Sequence, residues 1–340
     1  MMAHSSSLGV QCGTITLLIL PAITILVYFL TVFPHNPACL VIHPSLSSLS
    51  KESRSWQIYD EDFFQGGAYV SFPYGRVRYW LFGPEEGTRI VLIHGLSIPA
   101  IIWKDIAPQL AARGFRVLLY DLYGRGYSDA PKMTYDTTLY VTQLALLMQY
   151  IGWDNTHVVG LSMGGGIAAA FCDQFPHLVS GHVALIASAG IVKSTDLSRT
   201  SKFLSSPIMQ TITSSYPFRL YLQHLANNAT TIDNPIAELV RIQSAHLPGY
   251  NTAIASSIRE GPIRSLAPTF ASLGRNLRKR GGQVLLIWGT EDNVVPYHYA
   301  ARVQTLLSSA KLITIEGAKH DLTLSHGSEI ARHLVDFFRG

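Results

Sequence analysis

Gly160-Leu161-Ser162-Met163-Gly164 is the segment of this 340-residue chain that speaks most directly of chemistry. It follows the apolar run His157–Leu161 and precedes the small-residue run GGGIAAAF, which places Ser162 on a sharp strand-to-helix turn. On such a turn the hydroxyl stands clear of the sheet, and Gly160 and Gly164 let neighbouring backbone pass. The first N–H groups of the following helix favour developing negative charge. A serine hydroxyl is a weak nucleophile at neutral pH, so it needs a base within hydrogen-bond reach and a third group to orient that base.

The order serine, acid, histidine goes with this kind of turn. Trp288-Gly289-Thr290-Glu291-Asp292 offers Asp292 in a loop just after a strand, and Gly317-Ala318-Lys319-His320 offers His320 after the last strand. Glu291 and Asp321 are the neighbouring alternatives for the acid, and His326 is the alternative base. Acyl transfer also needs preorganised donors where the carbonyl oxygen becomes anionic. Ile93-His94-Gly95-Leu96, at the end of an apolar strand, has the place of that loop, with the backbone N–H groups of Leu96 and Met163 as the two donors. Ser97 is set aside, because Gly95-Leu96-Ser97-Ile98-Pro99 lacks the second glycine and a following helix. No metal or organic cofactor is called for by this chemistry, and no residues have metal-ligand spacing.

The elements that must hold these residues are legible as a pattern. Ala68–Phe72 and Arg76–Phe82 read as an opening hairpin, followed by strands at Ile90–His94, Val117–Asp121, Val158–Leu161, Val183–Ala187, Val284–Trp288 and Leu312–Glu316. Several are uninterrupted apolar runs, as strands covered on both faces are. Helical spacing predicts covering helices over Ile102–Arg113, Leu139–Ile151, Met163–Phe175, Tyr297–Ser308 and Ser328–Phe338. The alternation breaks from about 191 to 282, where helical stretches and several prolines replace strands, and this interval reads as an inserted helical lid. The expectation is an α/β fold with a mostly parallel eight-stranded sheet flanked by helices.

His94-Gly95, the run Asp121-Leu122-Tyr123-Gly124-Arg125-Gly126-Tyr127-Ser128-Asp129, the Ser162 turn, Gly289-Thr290-Glu291-Asp292 and Gly317-Ala318-Lys319-His320 together resemble the α/β-hydrolase superfamily, roughly from Gly66 to the C-terminus. The resemblance implies a serine hydrolase acting through an acyl-enzyme. Dehalogenases and epoxide hydrolases of this fold differ in carrying Asp where this chain has Ser162. The glycine-rich Asp121–Asp129 run lacks the Lys-Ser/Thr ending of a phosphate loop, and its expected role is to shape the loop beside the pocket.

Residues 14–33 contain no charged side chain, and about 20 apolar residues suffice to cross a bilayer as a helix. The expectation is an N-terminal segment over 1–33 with a single-pass membrane anchor at about 14–33. A linker over 34–60 and a hydrolase domain over 61–340 follow. A secretory signal peptide is the rival, disfavoured by the length of the stretch and the absence of Lys or Arg before it. The anchor and the lid look like the membrane-bound monoacylglycerol lipase-like branch, and that resemblance implies a lipid ester substrate. Small soluble esters, carbon–carbon bond hydrolysis, acyl transfer to an alcohol and a non-catalytic binding protein are the alternatives.

A formal charge of +4 is too slight to argue for nucleic acid as a partner. The dense basic run Arg275, Arg278, Lys279 and Arg280 reads as a solvated face, with contact to anionic headgroups as the alternative. Charged residues make up 14% of the chain against the usual figure of about 25%, a deficit to which the apolar N-terminus contributes. Cys12, Cys39 and Cys172 lack paired spacing, and Asn228-Ala229-Thr230 is a glycosylation acceptor pattern.

Overall fold

Thr88–Ile93 (TRIVLI), Phe115–Tyr120 (FRVLLY), Thr156–Leu161 (THVVGL) and Gln283–Gly289 (QVLLIWG) are too apolar to face water on either side. In the computed structural model, which describes residues 19–30, 39–196, 199–213, 215–228 and 234–340, these segments form the middle of one sheet. In chain order the strands are β1 Ile42–His43, β2 Gly67–Phe72, β3 Gly75–Phe82, β4 Thr88–Ile93, β5 Phe115–Tyr120, β6 Ala130–Pro131, β7 Thr156–Leu161, β8 Val179–Ile186, β9 Gln283–Gly289 and β10 Lys311–Ile315. The main sheet has eight strands in the order β10-β9-β8-β7-β4-β5-β3-β2. β2 pairs antiparallel with β3, and β3 antiparallel with β5; all other neighbours in this sheet are parallel. Each of the eight expected strands is present, with ends shifted by a few residues.

The chain reverses its direction of travel across the sheet at β4, which lies between β5 and β7. In open α/β sheets the crevice beyond the strand ends at such a switch point is where ligands bind. The loops after β4 and β7 therefore meet at the place suited to a site.

The helices are α1 Arg54–Ile58, α2 Ala107–Ala112, α3 Thr137–Tyr150, α4 Met163–Gln174, α5 Arg199–Leu204, α6 Pro207–Thr213, α7 Tyr216–Asn228, α8 Pro235–His246, α9 Tyr250–Glu260, α10 Ala267–Lys279, α11 His298–Leu306, α12 Leu322–Ser325 and α13 Gly327–Arg339. Their starts follow from local chemistry. Asp136 caps α3 by accepting from the Leu139 N–H at 2.9 Å, and Asn234 caps α8 by accepting from the Ile236 N–H at 2.9 Å, with Pro235 just inside. The glycines and alanines of α4 let it lie close on β7, and its residues Met163 to Cys172 are all buried. The expected helix over Ile102–Arg113 is broken by Pro108 into a 3-10 turn at Ala100–Trp103 and the short α2. The helices α5 to α10 fill the interval between β8 and β9; α10 packs on α4 beside the sheet.

Two parts of the expected layout are corrected. Of the stretch assigned to a linker over 34–60, residues 41–60 belong to the compact unit from Val41 onward, where Leu46 and Tyr59 are fully buried and β1 pairs with β6; residues 34–38 lie outside the described residues. Two-residue strands carry no periodicity, which is why this pairing is invisible in sequence.

The expected single-pass anchor over 14–33, and the membrane placement that rested on it, are not sustained. Among the described residues no helix is long and apolar enough to cross a membrane. The described part of that stretch is the helical run 19–30. Residues 14–18 and 31–33 of that expectation lie outside the described residues.

Cys39 and Cys172 are free thiols, exposed and buried respectively, and Cys12 lies outside the described residues. Arg275, Arg278, Lys279 and Arg280 are exposed at the C-terminal end of α10, where cations favour the helix dipole. Asn228 is the last residue of α7, and Ala229 and Thr230 lie outside the described residues.

Candidate active site

Ser162 sits between β7 and α4 with φ 55° and ψ −120°, a left-handed conformation unusual for a residue with a Cβ. Such a backbone costs of order 1–3 kcal/mol and persists only where its surroundings over-determine it. Here they do. The Ser162 N–H donates to Ile186 O at 2.9 Å, and its carbonyl accepts from Gly165 and Ala189 N–H groups, each at 2.9 Å. Two glycines make the tight turn sterically possible. A Cβ on Gly160 would lie 2.2 Å from the Gly164 carbonyl oxygen, and one on Gly164 would lie 2.3 Å from Ile93 O.

The structure brings Ser162, His320 and Asp292 into one hydrogen-bonded line. His320 Nε2 is 3.0 Å from Ser162 Oγ, and His320 Nδ1 is 2.7 Å from Asp292 Oδ2. Asp292 Oδ1 accepts from the Val294 and Val295 N–H groups at 2.9 and 2.8 Å, so the carboxylate is fixed by the turn that carries it. The Asp292 side chain is fully buried and that of His320 partly open, which leaves the imidazole reachable from the cavity above. The neighbouring alternatives are not assembled with the serine in this way. Glu291 is exposed, Asp321 lines the cavity rim, and His326 Nδ1 is 2.9 Å from Ser325 Oγ.

His94 and Gly95 lie opposite Ser162 at the end of β4. A Cβ on Gly95 would sit 3.3 Å from Ser162 Cβ, so the loop passes directly beside the turn. The Leu122 N–H donates to His94 Nε2 at 2.9 Å, which makes Nε2 the acceptor and puts the ring proton on Nδ1. Nδ1–H then donates to Gly95 O at 2.9 Å. Burial holds the His94 pKa down to about 3, so the ring is neutral. Arg125, fully buried, donates from Nε to Leu96 O at 2.8 Å. Both carbonyls flanking the Leu96 Cα are thus held. Because a trans peptide sets N–H opposite C=O, the Leu96 N–H direction is fixed as well. Met163 is the first residue of α4, whose opening N–H groups have no partner within the helix.

Arg125 does more than its place in a loop-shaping motif suggested. Its guanidinium also donates to Tyr123 O at 2.8 Å, to the Tyr140 hydroxyl at 2.5 Å and to Ser257 Oγ at 2.8 Å, joining the loop after β4 to α3 and α9. Ser257 comes from the helical insertion, and no local pattern announces it.

The line of three opens into a cavity of about 530 Å³. Its walls are largely apolar, with Leu96, Ile98, Val192, Ile258, Ile263 and Val294 among them. Two carboxylates, Asp196 and Asp321, stand at it, and no Lys or Arg does among the described residues. A hydrogen bond from the Tyr299 hydroxyl holds the Asp196 carboxyl below its ordinary range.

Comparison with known proteins accords with this geometry. A family model described as alpha/beta hydrolase fold matches residues 88–326. An uncharacterised protein of Mycobacterium tuberculosis is 27% identical over 245 residues, covering 69% of this chain and 70% of its own. The 2-hydroxy-6-oxo-2,4-heptadienoate hydrolase of Pseudomonas putida is 25% identical over 256 residues, covering 74% of this chain and 89% of its own. Among solved structures, a membrane phospholipase A described as a bacterial virulence factor superposes with a TM-score of 0.63 at 21% identity, over 97% of this chain and 98% of its own, a likeness of fold.

Proposed function

Since the chain belongs to the alpha/beta hydrolase fold family and is a hydrolase, we propose that it cleaves an uncharged carboxylic ester through an acyl-enzyme on Ser162. The observation that carries this reading is the unbroken hydrogen-bonded line from Ser162 Oγ through His320 to Asp292. His320 Nε2 takes the hydroxyl proton as Oγ attacks the ester carbonyl. The oxygen that becomes anionic is met by the N–H groups of Leu96 and Met163, an arrangement worth several kcal/mol in acyl transfer. The imidazolium then gives its proton to the departing alcohol. Water, deprotonated by the same nitrogen, attacks the acyl carbon and frees Ser162. Asp292 holds the imidazole in the tautomer that keeps Nε2 facing the serine.

The substrate reading rests on the cavity. Apolar walls and a volume of about 530 Å³ suit the acyl chain of a neutral lipid ester, with a monoacylglycerol as the model compound. Carbon–carbon hydrolysis of the kind named for the Pseudomonas putida relative has a carboxylate-bearing substrate, an enoate. Here such a group would face Asp196 and Asp321, with no Lys or Arg among the described lining residues to receive it, which favours the uncharged ester.

The test is a panel of 4-nitrophenyl esters of increasing acyl length beside a hemisuccinate of matched size, assayed with wild type and Ser162→Ala. The reading expects neutral esters to exceed the hemisuccinate in kcat/KM by at least about tenfold, one like-charge contact's worth. Asp196→Asn should narrow that gap. Equal or better turnover of the anionic ester would refute the charge preference, and hydrolysis unaffected by Ser162→Ala would refute the mechanism.

A further inference from the structure

A second cavity, of about 540 Å³, lies against α9. Thr252, Ser256, Arg259 and Glu260 line it from one face of that helix, while Ile258, which lines the cavity at Ser162, projects from nearly the opposite face. The β1–β6 pair contributes His43 and, just beyond it, Lys132; α7 contributes Arg219.

The charges in this second cavity are unbalanced. Arg259 and Glu260 answer each other, with Arg259 Nε 3.0 Å from Glu260 Oε1. The Arg259 guanidinium is further held by Ser205 O at 2.6 Å and Gln210 Oε1 at 2.8 Å. Lys132 and Arg219 remain, and among the described residues neither has a carboxylate within ion-pair distance. Arg219 Nε is shielded from solvent yet, among the described residues, donates to nothing. A buried guanidinium N–H without an acceptor is costly, and an anion in the cavity would supply one. His43 senses the same field: burial first, then the charges of Arg219 and Lys132, hold its pKa below the ordinary value.

We propose that this cavity is a binding site for a phosphate group, anchored by Lys132 from the sheet side and Arg219 from the helical insertion. Two cations on separate elements match the two charges of a phosphate dianion, and the guanidinium fork suits its oxygens. Occupancy would tie α7 to the end of β6 through one anion, so binding would add to the stability of the fold. Free phosphate and a phosphomonoester share this chemistry. The remaining volume of the cavity is what would distinguish them.

Calorimetric titration of the full chain with inorganic phosphate and, separately, with glycerol phosphate, against sodium chloride at equal ionic strength, tests the site. Saturable one-to-one binding is expected, weakened roughly tenfold by either Lys132→Gln or Arg219→Gln and lost in the double variant. Lys132 is exposed and Arg219 half-buried, and in chloride the variants should melt no lower than wild type. Ser162→Ala should bind as wild type, which separates this site from the catalytic one. Tighter binding of glycerol phosphate would assign the site to a phosphomonoester, and equal binding to the free ion. In parallel, the imidazole resonance of His43 should titrate at higher pH with phosphate present in wild type, with no such shift in the double variant. Absence of saturable binding, or binding unchanged in the double variant, would overturn the proposal.

Discussion

The ring of His94 donates from Nδ1–H to the carbonyl oxygen of its neighbour Gly95 across 2.9 Å, while its Nε2 is held by the Leu122 N–H. A buried neutral imidazole thereby sets the orientation of the peptide whose N–H belongs to Leu96. In the proposed reaction that N–H meets the oxyanion, so His94 is a positioning residue that never touches substrate. Gln at this position can keep one of the two hydrogen bonds and not both. His94→Gln should lower kcat by about 10- to 100-fold, less than outright loss of an oxyanion donor, with KM nearly unchanged. A loss confined to KM would contradict the role.

The same ring predicts how stability depends on pH. His94 titrates near 6.5 when unfolded and at about 3 when buried, and burial also pulls His157 down to about 4. Between these values the unfolded chain binds the proton and the native chain does not, so both groups make stability fall as pH drops from about 6.5. The loss is complete once the folded values are passed. Urea unfolding across pH 4 to 6.5 should show His94→Gln removing about 1.4 kcal/mol per pH unit of slope, one proton's worth. An unchanged slope would mean that the ring protonates in the native state.

Arg125 brings a second predicted loss. Its guanidinium is fully buried, has no carboxylate within ion-pair distance among the described residues, and donates to Leu96 O, Tyr123 O, Tyr140 and Ser257. Lys would keep the charge and lose the fork. Arg125→Lys should destabilise the fold by about 3 kcal/mol or more, since several buried acceptors lose their donor. It should also lower kcat at temperatures where the variant remains folded. Denaturant midpoints and steady-state kinetics on the same preparation separate the two effects; wild-type values in both would remove Arg125 from the account.

Much of this site was legible in the chain because its parts are local. The Ser162 turn announces itself by glycines at close-approach positions, and β4, β7, β8 and β9 by apolar runs that tolerate only a covered sheet. Asp292 and His320 stand in loops next to strands, so order along the chain and place at a strand's end made them candidates, with Glu291, Asp321 and His326 left as alternatives. What stayed hidden depends on contacts distant in sequence: the β1–β6 pair, the reach of Arg125 to Ser257 across 132 positions, and the cavity walls supplied by the helical insertion. The anchor expectation failed for a different reason. Apolar length states what a segment could cross, whereas among the described residues no helix is long and apolar enough to do so.

The orienting role of Asp292 has its own test. Asp292→Asn keeps the size of the side chain and disfavours the productive imidazole tautomer, so kcat should fall by about four orders of magnitude with the unfolding midpoint little moved. An unchanged rate would shift the role to another carboxylate, with Glu291 the first to examine.

Covalent capture by a fluorophosphonate decides whether Ser162 is the nucleophile. Wild-type protein treated with a fluorophosphonate should gain the mass of one phosphonyl group, located by peptide mapping to Ser162, and Ser162→Ala should gain none. Reaction at another residue, or a wild-type protein that stays unlabelled while folded, would contradict the assignment of Ser162 as nucleophile.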